Sequence, residues 1–452
     1  MKVAVLGGGV TGLTAAWRLQ DAGHDVRLLE ASMRLGGSVR TDRSEGWLVE
    51  AGPNALQESP EVRALFDELG LGPERIEASS DARNRYIVRK GELVALPTPS
   101  DVAGLVSTPL LSFGSKLKVT SELARSPRKR PDDVSVADLV RDHFGGEILE
   151  RFVQPLIGGI YAGDAERLSA RHAFPKIWEA EQSTGSLLRA GFEASKKRKA
   201  LGLPPSTLVS FRDGLQALAD ALAERVGPKS ILLEAEVHSI APGAGGRWRV
   251  AWNGPKGESS APFDRVVAAL PAWALARLKI GAGGARALSA LAAIEHPPVA
   301  TVFIGFRRDQ VLHPLDGFGA LVPASENRSV LGVIFSSSLF PGRAPAGHVA
   351  LTAFAGGALQ AEIALLPKKE LVELVQDDLR ELLGAKGKPA FVRHALWKRA
   401  IPQYNLGHGS HLEAFAQCER DHPGLFIGGN ARDGISLPDC ILSGAALAKR
   451  AS

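Results

Sequence analysis

Cysteine is nearly absent. The 452 residues hold two, Cys418 and Cys440, with no C-x-x-C. That excludes a disulfide framework and suits a reducing compartment, and both thiols read as ordinary buried cysteines. No stretch reaches the roughly 18 uncharged apolar residues that a spanning helix needs. The opening MKVAVLGGG enters a strand and a turn at once, without the charged, apolar and cleavage regions of a secretory signal. G-x-S-x-G, Walker A and H-E-x-x-H motifs are all missing, so hydrolase and NTPase readings lack support. His408 and His411 form an H-x-x-H with no evident third ligand, and no metal is expected. No side chain presents itself as a general base, and no residue is expected to be catalytic in that sense.

Neither sign of charge dominates. With 54 Lys+Arg against 49 Asp+Glu the net charge is +5, which does not point to nucleic acid. Two basic runs stand out, residues 125–130 (RSPRKR) and 196–199 (KKRK). They read as solvated loops or helix faces. The alternative is an anionic lipid surface, where each basic residue adds ~1 kcal/mol.

Glycine is plentiful, at 49 residues. Composition is otherwise that of a globular chain, and the length suits two or three domains. Residues 3–6 form an apolar run that leads into Gly7-Gly8-Gly9. Residues 10–22 then carry Leu13, Ala16 and Leu19 at helical spacing, and 26–29 form a second apolar run. Strand, turn, helix and strand within 30 residues make a βαβ unit and a parallel sheet. From 92 to 201 strand signals fade, and 134–144 and 148–156 read as helical. Strand-like runs return at 231–237, 247–252, 265–270, 299–306, 330–336 and 348–354, and a last strand and helix begin at 425. Dinucleotide-type signals at both ends imply a discontinuous nucleotide domain with others inserted.

Gly7-Gly8-Gly9-Val10-Thr11-Gly12 is a G-x-G-x-x-G between a strand and a helix, answered by Glu30 at the end of the next strand. Gly7 allows the tight turn, Gly9 lets a diphosphate approach the backbone, and Gly12 permits close helix–strand packing. The helix N-terminus offers free N–H groups to the diphosphate. Glu30 can accept from ribose hydroxyls and would repel a 2′-phosphate, which disfavours NADP. The glycines alone do not separate FAD from NAD.

The residues beyond the βαβ unit do separate them. Arg34-Leu35-Gly36-Gly37 after Glu30, then GWLVEAGPN at 46–54, resembles the amine-oxidase-like flavoprotein superfamily and implies FAD. The C-terminal FIGGN at 426–430 and GISLPDCI at 434–441 fit the same superfamily. Pro438 suits the first turn of a closing helix, whose N-terminus could face the flavin pyrimidine and favour the anionic reduced flavin by ~0.3–2 kcal/mol. RYIVRKG at 85–91, GIYAGD at 159–164 and WKRAIPQYNLGH at 397–408 narrow the resemblance to the protoporphyrinogen oxidase family, across essentially the whole chain.

That resemblance implies an α/β fold: a discontinuous Rossmann-like FAD-binding domain (1–79, 207–281 and 403–452), a mixed α+β substrate domain (80–91, 196–206 and 282–402), and an inserted helical, membrane-associating domain (92–195). It implies cofactor contacts from Gly7, Gly8, Gly9, Thr11, Gly12, Glu30, Ala31, Gly37 and Ser38. Gly52, Pro53, Asn54, Ala55, Val237, Trp397, Gly434, Ile435 and Ser436 complete that set. Arg85 is the position expected to pair with a substrate propionate, bidentate binding of carboxylate being what a guanidinium does well. Gly159, Phe318, Leu321, Leu331, Ile334 and Phe354 map to the substrate pocket, although periodicity alone would read the last five as strand core. Asn54 stands where some members carry Arg, so a charge role there falls away.

The reaction implied is a six-electron oxidation of a porphyrinogen, with hydride passing to FAD and O2 leaving as H2O2. A coproporphyrinogen-oxidising relative, another amine oxidase or desaturase, and a flavin-binding protein without turnover are the alternatives; three tyrosines are few for an amine oxidase's aromatic cage. A cytoplasmic protein lying peripherally on the membrane is expected, and a homodimer is allowed. The apolar segment 102–113 could lie in a membrane interface or form substrate-tunnel core.

Overall fold

A computed structural model describes residues 1–96, 108–200 and 207–452. The chain begins with strand β1 (Lys2–Leu6), helix α1 (Val10–Asp21) and strand β2 (Asp25–Leu29). β1 sends Val3 and Val5 into one apolar core and Ala4 and Leu6 into another, so its apolar run reflects burial on both faces. β1 lies in a five-stranded parallel sheet ordered Ile231–Leu232, β2, β1, Arg265–Ala268, Leu425–Ile427. Three distant stretches of chain thus build one sheet.

Helix α1 starts hard against β1. A Cβ on Gly12 would lie 1.9 Å from the Gly7 carbonyl oxygen, and one on Gly7, at φ +101°, would lie 2.6 Å from the Ala269 oxygen. The closing helix Leu437–Ala451 crosses α1 as tightly: a Cβ on Gly444 would lie 2.4 Å from the Thr11 oxygen.

The apolar run 231–237 is not one strand. Ile231–Leu232 pairs with β2, Glu234 turns at φ +53°, and Glu236–Pro242 leaves for a separate four-stranded sheet. That sheet covers the second core through Ile240, Trp248, Val250 and Phe263.

A seven-stranded sheet forms the second unit, ordered Phe391–Trp397, Val299–Arg307, His348–Gly356, Val330–Ile334, Gly317–Leu321, Asn84–Arg89, Glu92–Ala95. Helix Lys368–Leu383 covers it with Leu371, Val375 and Leu379 at helical spacing. The third unit holds helices Phe113–Glu122, Val136–His143, Gln154–Tyr161, Pro175–Thr184 and Leu187–Ala200.

Several expected limits move. Glu92–Ala95 hydrogen-bonds to Asn84–Arg89 and so belongs to the seven-stranded sheet, beyond the expected limit at 91. Leu288, Leu291 and Ile294 bury in the same apolar core as Leu6 and Leu29, which carries the first unit past 281. Helix Leu187–Ala200 runs through the limit at 195. Residues 201–206 and half of segment 102–113, Leu105 and Val106 included, lie outside the described residues; Leu110 and Leu111 are buried while Phe113 is exposed.

The run 125–130 is not a free basic face. Arg130 is nearly buried and grips Glu181 through two nitrogens, and Arg125, Arg128 and Arg130 all pair with Asp142. Burial pushes the Asp142 carboxyl up, but Arg125 and Arg130 outweigh it and hold it at about 2. All three arginines are thereby paired within the helical unit, two carboxylates answering three guanidinium groups.

Gly12→Ala should cost about 3 kcal/mol or more, because the methyl group meets rigid backbone. The expected result is a lower Tm together with loss of bound flavin. An unchanged Tm would show that α1 can shift away from β1.

Candidate cofactor and substrate site

One cavity of about 2110 Å³ runs between the three units. Single-ligand pockets hold roughly 300–1,000 Å³, so there is room for two molecules side by side. At one end lie Gly7, Gly9, Thr11, Glu30, Ala31, Gly37, Ser38 and Val237; Gly52, Pro53, Asn54, Ala55, Trp397, Ile435 and Ser436 lie beyond them. The far end is apolar, with Gly159, Phe318, Leu331, Ile334 and Phe354.

The phosphate end is built from backbone. α1 has Gly9 as N-cap, with no side-chain cap and no acidic residue in its first turn, so its first N–H groups have no side-chain acceptor. A Cβ on Gly9 would meet only Gly37 Cα, at 4.0 Å; it would fill the space between the two glycine turns rather than strike a wall. Gly36 N–H donates to the Gly8 oxygen at 2.8 Å, and Arg34 donates to the carbonyls of Leu35, Gly37 and Val39. The arginine of R-x-G-G therefore shapes the second turn from within. Glu30 accepts from the Gly8 N–H at 2.6 Å and the Ser32 N–H at 2.8 Å, and a carboxylate has lone pairs left for ribose hydroxyls. This donor set and the open glycine cradle fit an adenosine diphosphate.

Gly8, Gly12 and Gly434 do not line the cavity; they shape it. The Trp397 indole donates to the Ala51 oxygen at 2.7 Å, fixing the loop that presents Gly52 and Asn54. The Tyr404 hydroxyl donates to the Asn430 oxygen (2.6 Å) and accepts from the Gly434 N–H (3.0 Å), which sets the turn into the closing helix. Ser436 caps that helix in a capping box with Asp439, whose carboxylate accepts from the Ser436 N–H and hydroxyl. The positive helix end does face the cavity, but Asp439 places a negative charge within it. The expected bias toward an anionic flavin is opposed by that charge.

Two residues expected in the substrate pocket do not line it. Leu321 packs behind Gly159, where its Cδ2 would lie 2.7 Å from an added Cβ. Arg85 is exposed, with its guanidinium 6.0 Å from the centre of the Phe318 ring. Among the described residues no carboxylate pairs with it.

Sequence reasoning missed several lining groups. Arg399 stacks 4.9 Å over Trp273, and Lys176 and Arg198 stand on the wall contributed by the helical unit. Glu50 was in view within GWLVEAGPN, in a strand whose every residue is buried. Its partner Arg343 is nearly 300 positions away, and no motif announces it. Cys418 is buried, whereas Cys440 is half-buried on the cavity wall; burial pushes both thiols up to about 11, so neither is a thiolate at neutral pH. Burial presses His408, beside His172 and His411, down to about 3. Among the described residues no three His, Cys, Asp or Glu side chains are placed to hold a metal.

Residues 10–452 match the family described as flavin containing amine oxidoreductase, and the chain belongs to that family. It is an FAD-dependent oxidase. Protoporphyrinogen oxidase 2 of Arabidopsis thaliana is 34% identical over 98% of this chain and 92% of its own length. Coproporphyrinogen III oxidase of Staphylococcus aureus is 28% identical over 98% and 97%. A crystal structure from Exiguobacterium sp. 255-15, of a protein provisionally named protoporphyrinogen oxidase, superposes with a TM-score of 0.83 at 26% identity, covering 99% of this chain and 98% of that one.

Glu30→Ala should weaken FAD binding by ~1–3 kcal/mol, through lost hydrogen bonds to ribose and loosening of the Gly8 turn. Flavin fluorescence on titration into apoprotein measures this; an unchanged Kd would remove Glu30 from the site.

Proposed function

We propose that the protein oxidises protoporphyrinogen IX to protoporphyrin IX, passing electrons to O2 and releasing H2O2. The observation that carries this reading is the apolar end of the cavity, formed by Gly159, Phe318, Leu331, Ile334 and Phe354 and continuous with the FAD end. A large, flat, mostly apolar macrocycle suits such a chamber. Bound FAD supplies hydride acceptance and its own reoxidation by O2. The glycine turns and Glu30 hold the adenosine diphosphate, Trp397 and the Gly52–Asn54 loop stand between the two ends, and the aromatic walls exclude water. Arg85, above Phe318 and without a carboxylate partner among the described residues, is the proposed propionate contact.

Coproporphyrinogen III is the second reading. Lys176 and Arg198 on the cavity wall supply cations that a four-propionate substrate would use, and the S. aureus and Bacillus subtilis relatives carry that activity's name. No described helix is long and apolar enough to cross a membrane. A peripheral seat on a membrane is supported by Phe113, Leu117 and Phe192 of the helical unit, which are 83%, 62% and 53% exposed.

Anaerobically prepared protoporphyrinogen IX and coproporphyrinogen III, added to the holoenzyme in air, should both be followed by porphyrin fluorescence alongside H2O2. Higher kcat/KM on the two-propionate substrate supports the first reading, and the reverse order installs the second. Arg85→Ala should raise KM about ten-fold with flavin content unchanged, the loss of one charge-assisted hydrogen-bonded contact. An unaltered KM would exclude Arg85 from substrate binding.

A further inference from the structure

Each two-electron oxidation of a porphyrinogen removes a hydride from a bridge carbon and a proton from a pyrrole nitrogen, and the proton needs an acceptor. We propose that Glu50 takes this proton through a single water held in a small chamber between its carboxylate and Arg343. The inference rests on the porphyrinogen reading above.

The chamber has a volume of about 10 Å³, near the ~10–15 Å³ that one water occupies. Its polar walls are Glu50, Arg343, Ser336 and Asn54, set among Phe303 and Phe340. Arg343 is only 2% exposed. Its Nη2 donates to Ser210 Oγ at 2.7 Å and to the Phe211 oxygen at 3.2 Å, while its Nη1 has no partner among the described residues. A buried guanidinium nitrogen left unpaired is costly. The Glu50 carboxylate stands 3.9 Å from Nη2, the nitrogen already engaged with Ser210 and Phe211; that is too far for a direct hydrogen bond, and a water in the chamber can bridge the carboxylate to the guanidinium.

The chamber adjoins the large cavity. Asn54, Ile334 and Leu339 line both, so Asn54 is the polar residue that the cavity and the chamber share; its side-chain amide donates to the Gly52 oxygen at 3.1 Å. Glu50 also accepts from the Thr41 hydroxyl at 2.7 Å on one oxygen and from the Leu215 N–H at 2.8 Å on the other. Thr41 lies partly exposed in the hairpin Thr41–Ser44 and Trp47–Glu50, giving the proton a way out.

The charged groups around Glu50 are Arg343, with Arg43 near it, and Asp42 on the paired strand. Burial pushes the carboxyl up to about 7, against the hydrogen bonds from Thr41 and Leu215 and the Arg343 charge, while Asp42 adds to the rise. A proton acceptor works best with a pKa near the working pH.

The step balances. The C–H bond electrons leave the bridge carbon as hydride, and the N–H electrons remain on nitrogen and complete the C=N bond. The proton passes to the water, which hands one of its own to ionised Glu50. The hydride's electron pair and its proton end on O2, which with one further proton becomes H2O2.

Glu50→Gln keeps the volume and cannot take the proton. Because a base must be ionised to act, anaerobic flavin reduction by porphyrinogen should rise in the wild type as pH passes upward through about 7. In Glu50→Gln the rate should fall about ten-fold or more at neutral pH and lose that rise, with FAD content and KM unchanged. The wild-type carboxyl C=O infrared band should disappear over the same pH range and be missing from the variant. Should Glu50→Gln not fold, Asn54→Leu closes the link to the large cavity: reduction slows while the infrared titration stays. A flavin-loaded Glu50→Gln with the wild-type rate and pH profile overturns the proposal. So does Asn54→Leu with an unchanged rate, or a band that titrates in the ordinary glutamate range. A wild type that oxidises no porphyrinogen overturns the substrate reading instead, which separates the two failures.

Discussion

The rest of the site depends on how closely α1 approaches its neighbours. Its first turn presses through Gly12 on Gly7, just past β1, and meets the closing helix at Gly444, while Gly7 itself presses on Ala269, all at separations that no side chain would permit. These contacts fix the first N–H groups of α1 over the cavity and bring the last helix of the chain across the first. The loop ahead of that last helix is thereby brought to the cavity, where Ile435 and Ser436 join Gly9 and Gly37 in its lining. The phosphate end and the flavin-facing end of the site are thus one packing problem. A steric constraint on backbone, rather than any polar contact, decides where charge is offered.

Polar interactions refine what that packing positions. Glu30 and Arg34 satisfy backbone groups of the two glycine turns, so the cradle holds its shape through hydrogen bonds internal to it. Asp439 places a carboxylate at a helix end that would otherwise favour negative charge. Behind the apolar substrate walls, Glu50 and Arg343 form a buried pair that does not close on itself. Ion pairs so deep gain little net stability when they are well made. One left open at 3.9 Å, with a nitrogen unpaired, is better suited to a polar task than to holding strands together.

The nucleotide half was legible in the sequence because its determinants are local. Gly7 to Glu30 lie within one βαβ unit, and steric demands on glycine and the apolar alternation around it act over a few residues. The parallel sheet was legible at its core for the same reason, though the run 231–237 hid a left-handed turn at Glu234 that divides it between two sheets. The second unit's limits were not legible. Leu288, Leu291 and Ile294 look like any apolar triplet, and only their burial in one core with Leu6 and Leu29 assigns them to the first unit. Arg85 and Leu321 were placed by resemblance, and the structure sets both just outside the lining. The basic run 125–130 read as a surface feature because its neutralising partners, Asp142 and Glu181, arrive from other helices.

Packing, polar contact and burial meet at Asn54. It sits in the GPN loop that Trp397 steadies, and it lines both the large cavity and the chamber beside Glu50. Some members of the resembled family carry arginine at this position. A guanidinium here would stand across the chamber from Glu50, pair with it, and draw its carboxyl back toward the ordinary range. It would also fill the room that a single water needs. The neutral amide leaves Glu50 balanced between burial, which raises its pKa, and Arg343 with two hydrogen bonds, which lower it. Hydride and proton can then leave the substrate in different directions, the one toward the glycine-lined end and the other past Asn54. The absence of charge at one loop position is what lets a buried glutamate nearby keep a pKa suited to neutral pH.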